Sequence, residues 1–275
     1  MAQIMQLLCY PVKGCSGVAM QEAELTLAGL KNDRIFMVVD EEGVYRTQRR
    51  DPLLARIIPS IELGGQRLTL QFPGAGDVDV DVRTSGPQCE VNLFGAPFRG
   101  IDQGNAVAGW LTEILGAPRR LVRVPQDHKR VTDGRIPGTS GFADSSAIHL
   151  LSQTTLDSLN ARITDRGKAP APTDRFRPNI VVGGWADPHT EDRAHRIVIG
   201  DAELGYAKLA IRCAVTMVDQ QSGTRDGPEP LRSLADYRRA PGGGVALGTK
   251  MAVLRPGKLS VGDDVSVRLW GEPEL

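Results

Sequence analysis

Cysteine is scarce in this chain of 275 residues: Cys9, Cys15, Cys89 and Cys213 are its four, irregularly spaced and without a C-x-x-C pair. A small disulfide-built domain or a zinc module needs clustered thiols, so both are excluded and the four are expected as reduced thiols. An excess of either charge is lacking too. Thirty-three Lys and Arg balance thirty-three Asp and Glu, so no global field favours nucleic acid or an anionic membrane, and any anion site must be local. No apolar run approaches a membrane span, and the N-terminus carries neither a charged leader nor a small-residue cleavage site; the expectation is a soluble, cytoplasmic protein. The four histidines, His128, His149, His189 and His195, form no H-E-x-x-H and no Cys/His pair at zinc spacing. A P-loop, a G-x-G-x-x-G after a strand and a G-x-S-x-G elbow are all missing, which removes the commonest nucleotide-binding and serine-hydrolase classes.

What is present is a run of short β-like segments. Residues 4–10, 34–40, 56–63, 67–72 and 78–83 alternate with turn signals at Glu42-Gly43, Gly64-Gly65 and Pro73-Gly74, a spacing that predicts a small barrel or sandwich. Val107, Trp110, Leu111, Ile114 and Leu115 then recur with helical period, and Gly116 stops them. A domain junction is expected just beyond, dividing the chain into residues 1–120 and 121–275. In the second part Ser152 is placed to cap a helix with Leu156, Leu159 and Ile163 on one stripe, and a further helix is expected around Leu231, Leu234 and Ala235. Strands are expected at 180–182, 196–199, 210–218, 251–254 and 265–269, with residues 241–244 as a flexible link. The fold class is therefore mainly β, predominantly antiparallel, with a few short helices (α+β).

Cys213 is the most informative residue. It follows Arg212 in a half-buried strand-like run, and a soft sulfur beside a fixed positive charge suits a thiolate ligand. Alone, a cysteine on a strand is more often a core residue. Its company argues otherwise. Pro11-Val12-Lys13-Gly14 and Asn32-Asp33-Arg34-Ile35-Phe36-Met37 come first, then Asp174-Arg175-Phe176-Arg177-Pro178-Asn179 upstream of it, and Glu229-Pro230-Leu231-Arg232 and Lys258-Leu259-Ser260-Val261-Gly262-Asp263 downstream. This ordered set, covering nearly the whole chain, resembles the MOSC family, in the branch with an additional N-terminal β-barrel: the bacterial reductases of N-hydroxylated bases and the mitochondrial amidoxime reducing component. The resemblance implies two β-barrel-like domains, an N-terminal MOSC barrel and a MOSC domain, with Mo-molybdopterin, the molybdenum cofactor, held between them.

It implies site residues as well. Cys213 matches the metal thiolate, and Lys13, Gly14, Arg34, Arg177, Asn179 and Arg212 match cofactor-contacting positions. A pterin phosphate needs several convergent donors, because a buried dianion without partners is very costly. The loop from Gly138 to Ser146 is by composition a turn, or a cradle of backbone N–H groups and hydroxyls for a phosphate; relatives carry a similar stretch, and Ser145 and Ser146 are taken from it as cofactor contacts. Asp144 is the one acid in that loop, a candidate proton donor, although an ion pair with a basic neighbour is the commoner fate. Two positions depart from the family: Ile211 stands where relatives commonly have serine, and Lys250 where an aromatic is frequent. The basic stretch Arg119, Arg120, Arg123, Lys129, Arg130 and Arg135 reads as a solvated face, without the aromatics that nucleic-acid binding needs, and suited to an acidic redox partner.

The expected function is a molybdenum-dependent oxidoreductase that removes oxygen from hydroxylamines, amidoximes or N-hydroxylated bases, re-reduced by a separate flavin, iron–sulfur or haem protein. The alternatives are a molybdenum-cofactor carrier without turnover and, more weakly, a metal-free thiol enzyme using Cys213.

Overall fold

Residues 1–275 except Leu63 and Asp226 are described by a computed structural model. The largest element is an eight-stranded sheet in the order Ser266–Trp270, Ala194–Ile199, Ala202–Arg212, Val245–Arg255, Ile148–Ser152, Ile180–Gly183, Gln3–Cys9 and Val18–Met20. Its pairings are antiparallel except that of Ile148–Ser152 with Ile180–Gly183. A parallel pair cannot be closed by a hairpin, and the crossover here contains helix α2, Gln153–Asp165. A five-stranded sheet runs Gln88–Leu93, Ala96–Asp102, Arg120–Arg123, Phe36–Val39 and Val12–Lys13. The strands do not follow chain order: Gln3–Cys9 belongs to the large sheet with segments from far downstream, whereas Arg120–Arg123 pairs with Phe36–Val39. Both sheets are thus tied together by the chain at Tyr10-Pro11.

Each of these sheets buries apolar residues on both faces, in two clusters apiece. Under the large sheet lie Ile4, Leu7, Leu150, Ile180, Ile197, Leu204 and Met251. Ile4 and Leu7 are an odd number of residues apart, yet both are buried, because the register slips between Ile4 and Gln6 and such an irregularity reverses the facing of the rest of the strand. The smaller sheet packs Phe36, Val38 and Leu121 on Leu54, Leu68, Leu70 and Leu111, the last from helix α1, Asn105–Leu115, which ends as expected at Gly116 in the left-handed conformation (φ 69°).

Ser152 caps α2 as the sequence predicts. Its Oγ accepts from the Thr155 N–H at 3.0 Å, and Leu156, Leu159 and Ile163 face the core formed with Phe176 and Leu234 of the short helix α3, Leu231–Ala235. Ser152→Ala should therefore lower stability by about 1 kcal/mol, measurable as a shifted denaturant midpoint with an unchanged slope.

Three expected strands are corrected. The one over 56–63 is Ile58–Ile61, preceded by a 3₁₀ turn, Pro52–Arg56; its last expected residue, Leu63, lies outside the described residues. The one over 251–254 is the end of the much longer Val245–Arg255. The one over 210–218 stops at Arg212, and Ala214–Met217 is a 3₁₀ turn. The cause of the stop is local: Thr216 N–H and Oγ1 both donate to the Cys213 carbonyl, at 3.0 and 2.9 Å, which turns the chain away from the ladder. Cys213 therefore stands at a strand end and not within a strand.

Candidate cofactor site

That strand end opens on a cleft of about 280 Å³ between the two sheets, and every residue expected at the site lines it: Lys13, Gly14, Arg34, Asp144, Ser145, Ser146, Arg177, Asn179, Arg212 and Cys213. Lys13 ends the edge strand Val12–Lys13, and Gly14 follows with φ 86°, where a Cβ would lie 3.3 Å from the Leu54 side chain and 3.4 Å from the Thr47 backbone. Only glycine suits that turn.

Arg34 and Arg177 are far apart along the chain and both have positive φ, 49° and 55°, uncommon for residues with a side chain. Their guanidinium groups lie 4.4 and 4.3 Å from the centre of the buried Tyr10 ring. Arg34 donates to Asn179 Oδ1 (2.9 Å) and to the Arg177 carbonyl (3.2 Å) and is ion-paired with buried Asp33; Arg177 donates to the Cys15 carbonyl (2.6 Å). Arg212 donates to the Phe176 carbonyl at 2.8 Å. Three arginines are thus knitted through one short stretch, 176–179. Burial lowers the pKa of Arg177 and Arg212, whereas for Arg34 the Asp33 carboxylate outweighs the same burial and raises it.

Asn179, expected to pair with pterin edges, is largely committed to the protein. Its Oδ1 accepts from Arg34 and from the His149 N–H (3.1 Å), and its Nδ2 donates to the Leu8 carbonyl (3.1 Å), leaving one of its four bonding positions. It positions Arg34. Asp144 is ion-paired with Lys13, whose Nζ also donates to the Phe142 carbonyl at 3.0 Å. Burial works against the carboxylate, but Lys13, Lys250 and Arg34 outweigh it and hold the group well below the usual carboxylate range. Such an acid is ionised at neutral pH, so the pairing suits Asp144 to fixing Lys13 and not to giving up a proton.

Arg130 corrects the reading of a solvated basic face for part of that stretch, whereas Lys129 and Arg135 are exposed as expected. The Arg130 guanidinium is turned into the loop 140–144, donating to Ser140 Oγ (3.3 Å) and to the carbonyls of Gly141 (3.1 Å), Ala143 and Asp144 (3.0 Å). Arg119 is likewise spent on Asp51 and Arg120 on Asp102. Arg130→Ala should free the loop: amide exchange across 140–146 should quicken by an amount worth about 1 to 3 kcal/mol, against no change there for Arg99→Ala, whose exposed pair with Asp127 contributes little.

Sequence reasoning missed Thr47 and Gln48, which line the same cleft, and Gln220. The Gln48 and Gln220 amides bond to each other reciprocally (3.0 and 2.9 Å), and Gln48 also donates to the Gly14 carbonyl (2.8 Å), joining the two parts of the chain at the site. No motif marks these residues. Lys208 and Lys250 also line the cleft, so six cations face one carboxylate, Asp144, among its described residues.

The donor set fits an anionic, sulfur-liganded cofactor. Arg177 Nη2, Arg212 Nε and Ser146 Oγ are buried without a protein partner, costly unless something else accepts from them, and the Cys213 thiol is free. No group of three or more His, Cys, Asp or Glu that could hold a metal ion occurs among the described residues.

Fold and site together define a mainly β protein, built around an eight-stranded and a five-stranded sheet, with an anion-receptive cleft and one thiol at its wall. Residues 1–118 match the MOSC N-terminal beta barrel domain and residues 137–266 the MOSC domain. The human mitochondrial amidoxime-reducing component 1 is 34% identical over 282 residues, covering 95% of this chain and 82% of that protein. The rat mitochondrial amidoxime reducing component 2 is 34% identical over 278 residues, covering 93% and 80%. The zebrafish molybdenum cofactor sulfurase is 30% identical over 254 residues, covering 84% of this chain and 30% of that protein. The chain belongs to the MOSC family, in the group of the amidoxime-reducing components. Among the described residues no helix is long and apolar enough to cross a membrane.

Proposed function

We propose that this protein is a molybdenum-cofactor-dependent reductase of N-hydroxylated compounds, with Cys213 as the molybdenum thiolate ligand and electrons delivered by a separate redox protein. The observation that carries the reading is the convergence, in one cleft, of a free thiol with orphaned buried donors on Arg177, Arg212 and Ser146, in a chain whose relatives are named for amidoxime reduction. Bound there, the cofactor would supply the two-electron chemistry: R–NHOH plus two electrons and two protons gives R–NH₂ and water. The chain's own residues supply position and charge. Arg34, held by Asn179 and the Arg177 carbonyl, Arg177, held by the Cys15 carbonyl, and Arg212, held by the Phe176 carbonyl, would neutralise the pterin phosphate. Lys13, fixed by Asp144 and the Phe142 carbonyl, would bring a further cation, and Ser145 and Ser146 hydroxyl or backbone donors. Cys213, set at the strand end by Thr216, would present sulfur to the metal. The four free cysteines fit a reducing compartment, and we place the protein in the cytoplasm.

The test is turnover. Purified holo-protein with an artificial reductant should reduce an amidoxime or hydroxylamine. Bound molybdopterin without turnover would favour a carrier, and undiminished activity in protein made without molybdate would favour a metal-free thiol enzyme.

A further inference from the structure

Of the six cations lining the cleft, five have protein partners: Lys13 has Asp144, Arg34 has Asp33 and Asn179, Arg177 the Cys15 carbonyl, Arg212 the Phe176 carbonyl and Lys208 Asp133. Lys250 has neither a hydrogen bond nor an ion pair from its side chain among the described residues. It projects from the strand Val245–Arg255, between Lys208 on one neighbouring strand and His149 on the other. The charged groups acting on it are Arg212 from the strand of Lys208, and Arg34, Lys13 and Asp144 from the opposite side of the cleft. His149 is buried and neutral, its Nε2 at 3.3 Å from the Leu247 carbonyl. Lys250 is thus an amine in a cation-rich cleft whose one carboxylate is already taken by Lys13.

We propose that Lys250 is an anion-binding residue of the cleft and that it couples anion binding to the uptake of one proton. An ammonium among unbalanced positive charges gives up its proton easily, and a dianion seated beside it reverses that balance. Burial first, and then Arg212 and Arg34, push Lys250 down to about 7, with only Asp144 pulling the other way. Above pH 7 the free protein therefore holds Lys250 largely neutral; a bound dianion favours the charged form, so a proton enters with the ligand and affinity falls as pH rises. Below pH 7 the proton is already present and none need enter. The inference rests on reading the cleft as the cofactor's anion site, and its failure is separable from that reading: protein that carries molybdopterin but moves no proton on binding a simple dianion keeps the one and loses the other.

The probe is inorganic sulfate, a tetrahedral dianion with no titrating proton of its own in this range. The full chain, made in a host that cannot synthesise the cofactor, is titrated calorimetrically in buffers of different ionisation enthalpy at pH 6 and pH 8. Proton uptake per sulfate bound should be near zero at pH 6 and near one at pH 8. Lys250→Arg, with a cation that stays charged, should still bind sulfate but take up no proton at pH 8. Lys250→Met should bind several-fold more weakly at pH 6, with no uptake at either pH. A full proton taken up by Lys250→Arg at pH 8 would assign the coupling to another group and overturn the proposal, as would wild-type protein that binds sulfate without uptake or fails to bind it.

Discussion

Cys213→Ser should leave a folded protein that retains almost no molybdenum and reduces no N-hydroxylated substrate. A hydroxyl is a harder and far less readily ionised ligand than a thiol, so the change removes the chain's one soft donor in the cleft. The fold should survive, because Cys213 is only partly buried and its structural bonds run through its carbonyl, which accepts from Thr216 and which serine also possesses. The expected loss in metal retention is on the order of a hundredfold or more, since even residues that merely support a metal ligand act on that scale. The controls are the other thiols. Cys9 and Cys15 are buried, with burial pushing the Cys15 thiol up to about 12, and Cys89 sits on the outer strand of the five-stranded sheet. Serine at Cys9 or Cys15 should cost stability but keep the metal, and Cys89→Ser should change little. Metal analysis with a thermal melt on each variant separates the two effects; wild-type molybdenum in Cys213→Ser would remove the ligand assignment.

The second large effect is expected at the arginines flanking Tyr10. Arg177→Ala and Arg34→Ala should each weaken cofactor retention by about 2 to 5 kcal/mol, the cost of truncating one partner of a buried hydrogen-bonded charge pair, whereas Arg99→Ala should leave it unchanged. The two variants should differ in the cofactor-free protein. Arg34 is ion-paired with buried Asp33, so its loss strands a buried carboxylate and should lower the melting temperature markedly. Arg177 has no carboxylate among its described hydrogen-bond partners and loses its bond to the Cys15 carbonyl and its place on the Tyr10 ring, the latter also lost in Arg34→Ala, so Arg177→Ala should melt closer to wild type while retaining as little cofactor. Equal cofactor content in Arg34→Ala, Arg177→Ala and Arg99→Ala would mean that these arginines do not hold the phosphate.

Much of this site was legible in the sequence because its residues sit in compact segments whose order along the chain is distinctive: Lys13-Gly14, Arg34, the 174–179 stretch and Arg212-Cys213. The helices were legible for a different reason, a 3.6-residue period with Ser152 at one start and Gly116 at one stop. Four things were not. The end of the strand at Arg212 depends on Thr216 bonding back to Cys213, a competition between two local options that composition does not decide. The placement of Gln3–Cys9 in the large sheet is set by pairing with Ile180–Gly183, a contact that leaves no mark on either segment alone. The fate of the basic stretch depended on which carbonyls and carboxylates lay within reach, and Arg130 turned inward to a loop whose path only the fold defines. Gln48 and Gln220 were invisible for the same reason: an amide pair across 172 residues is a property of the folded cleft.

The most direct measurement is the molybdenum and pterin content of wild-type protein purified from a host that makes the cofactor. About one molybdenum and one pterin per chain, both lost together in Cys213→Ser and Arg177→Ala, is the result expected. Active protein with neither molybdenum nor pterin would contradict the account.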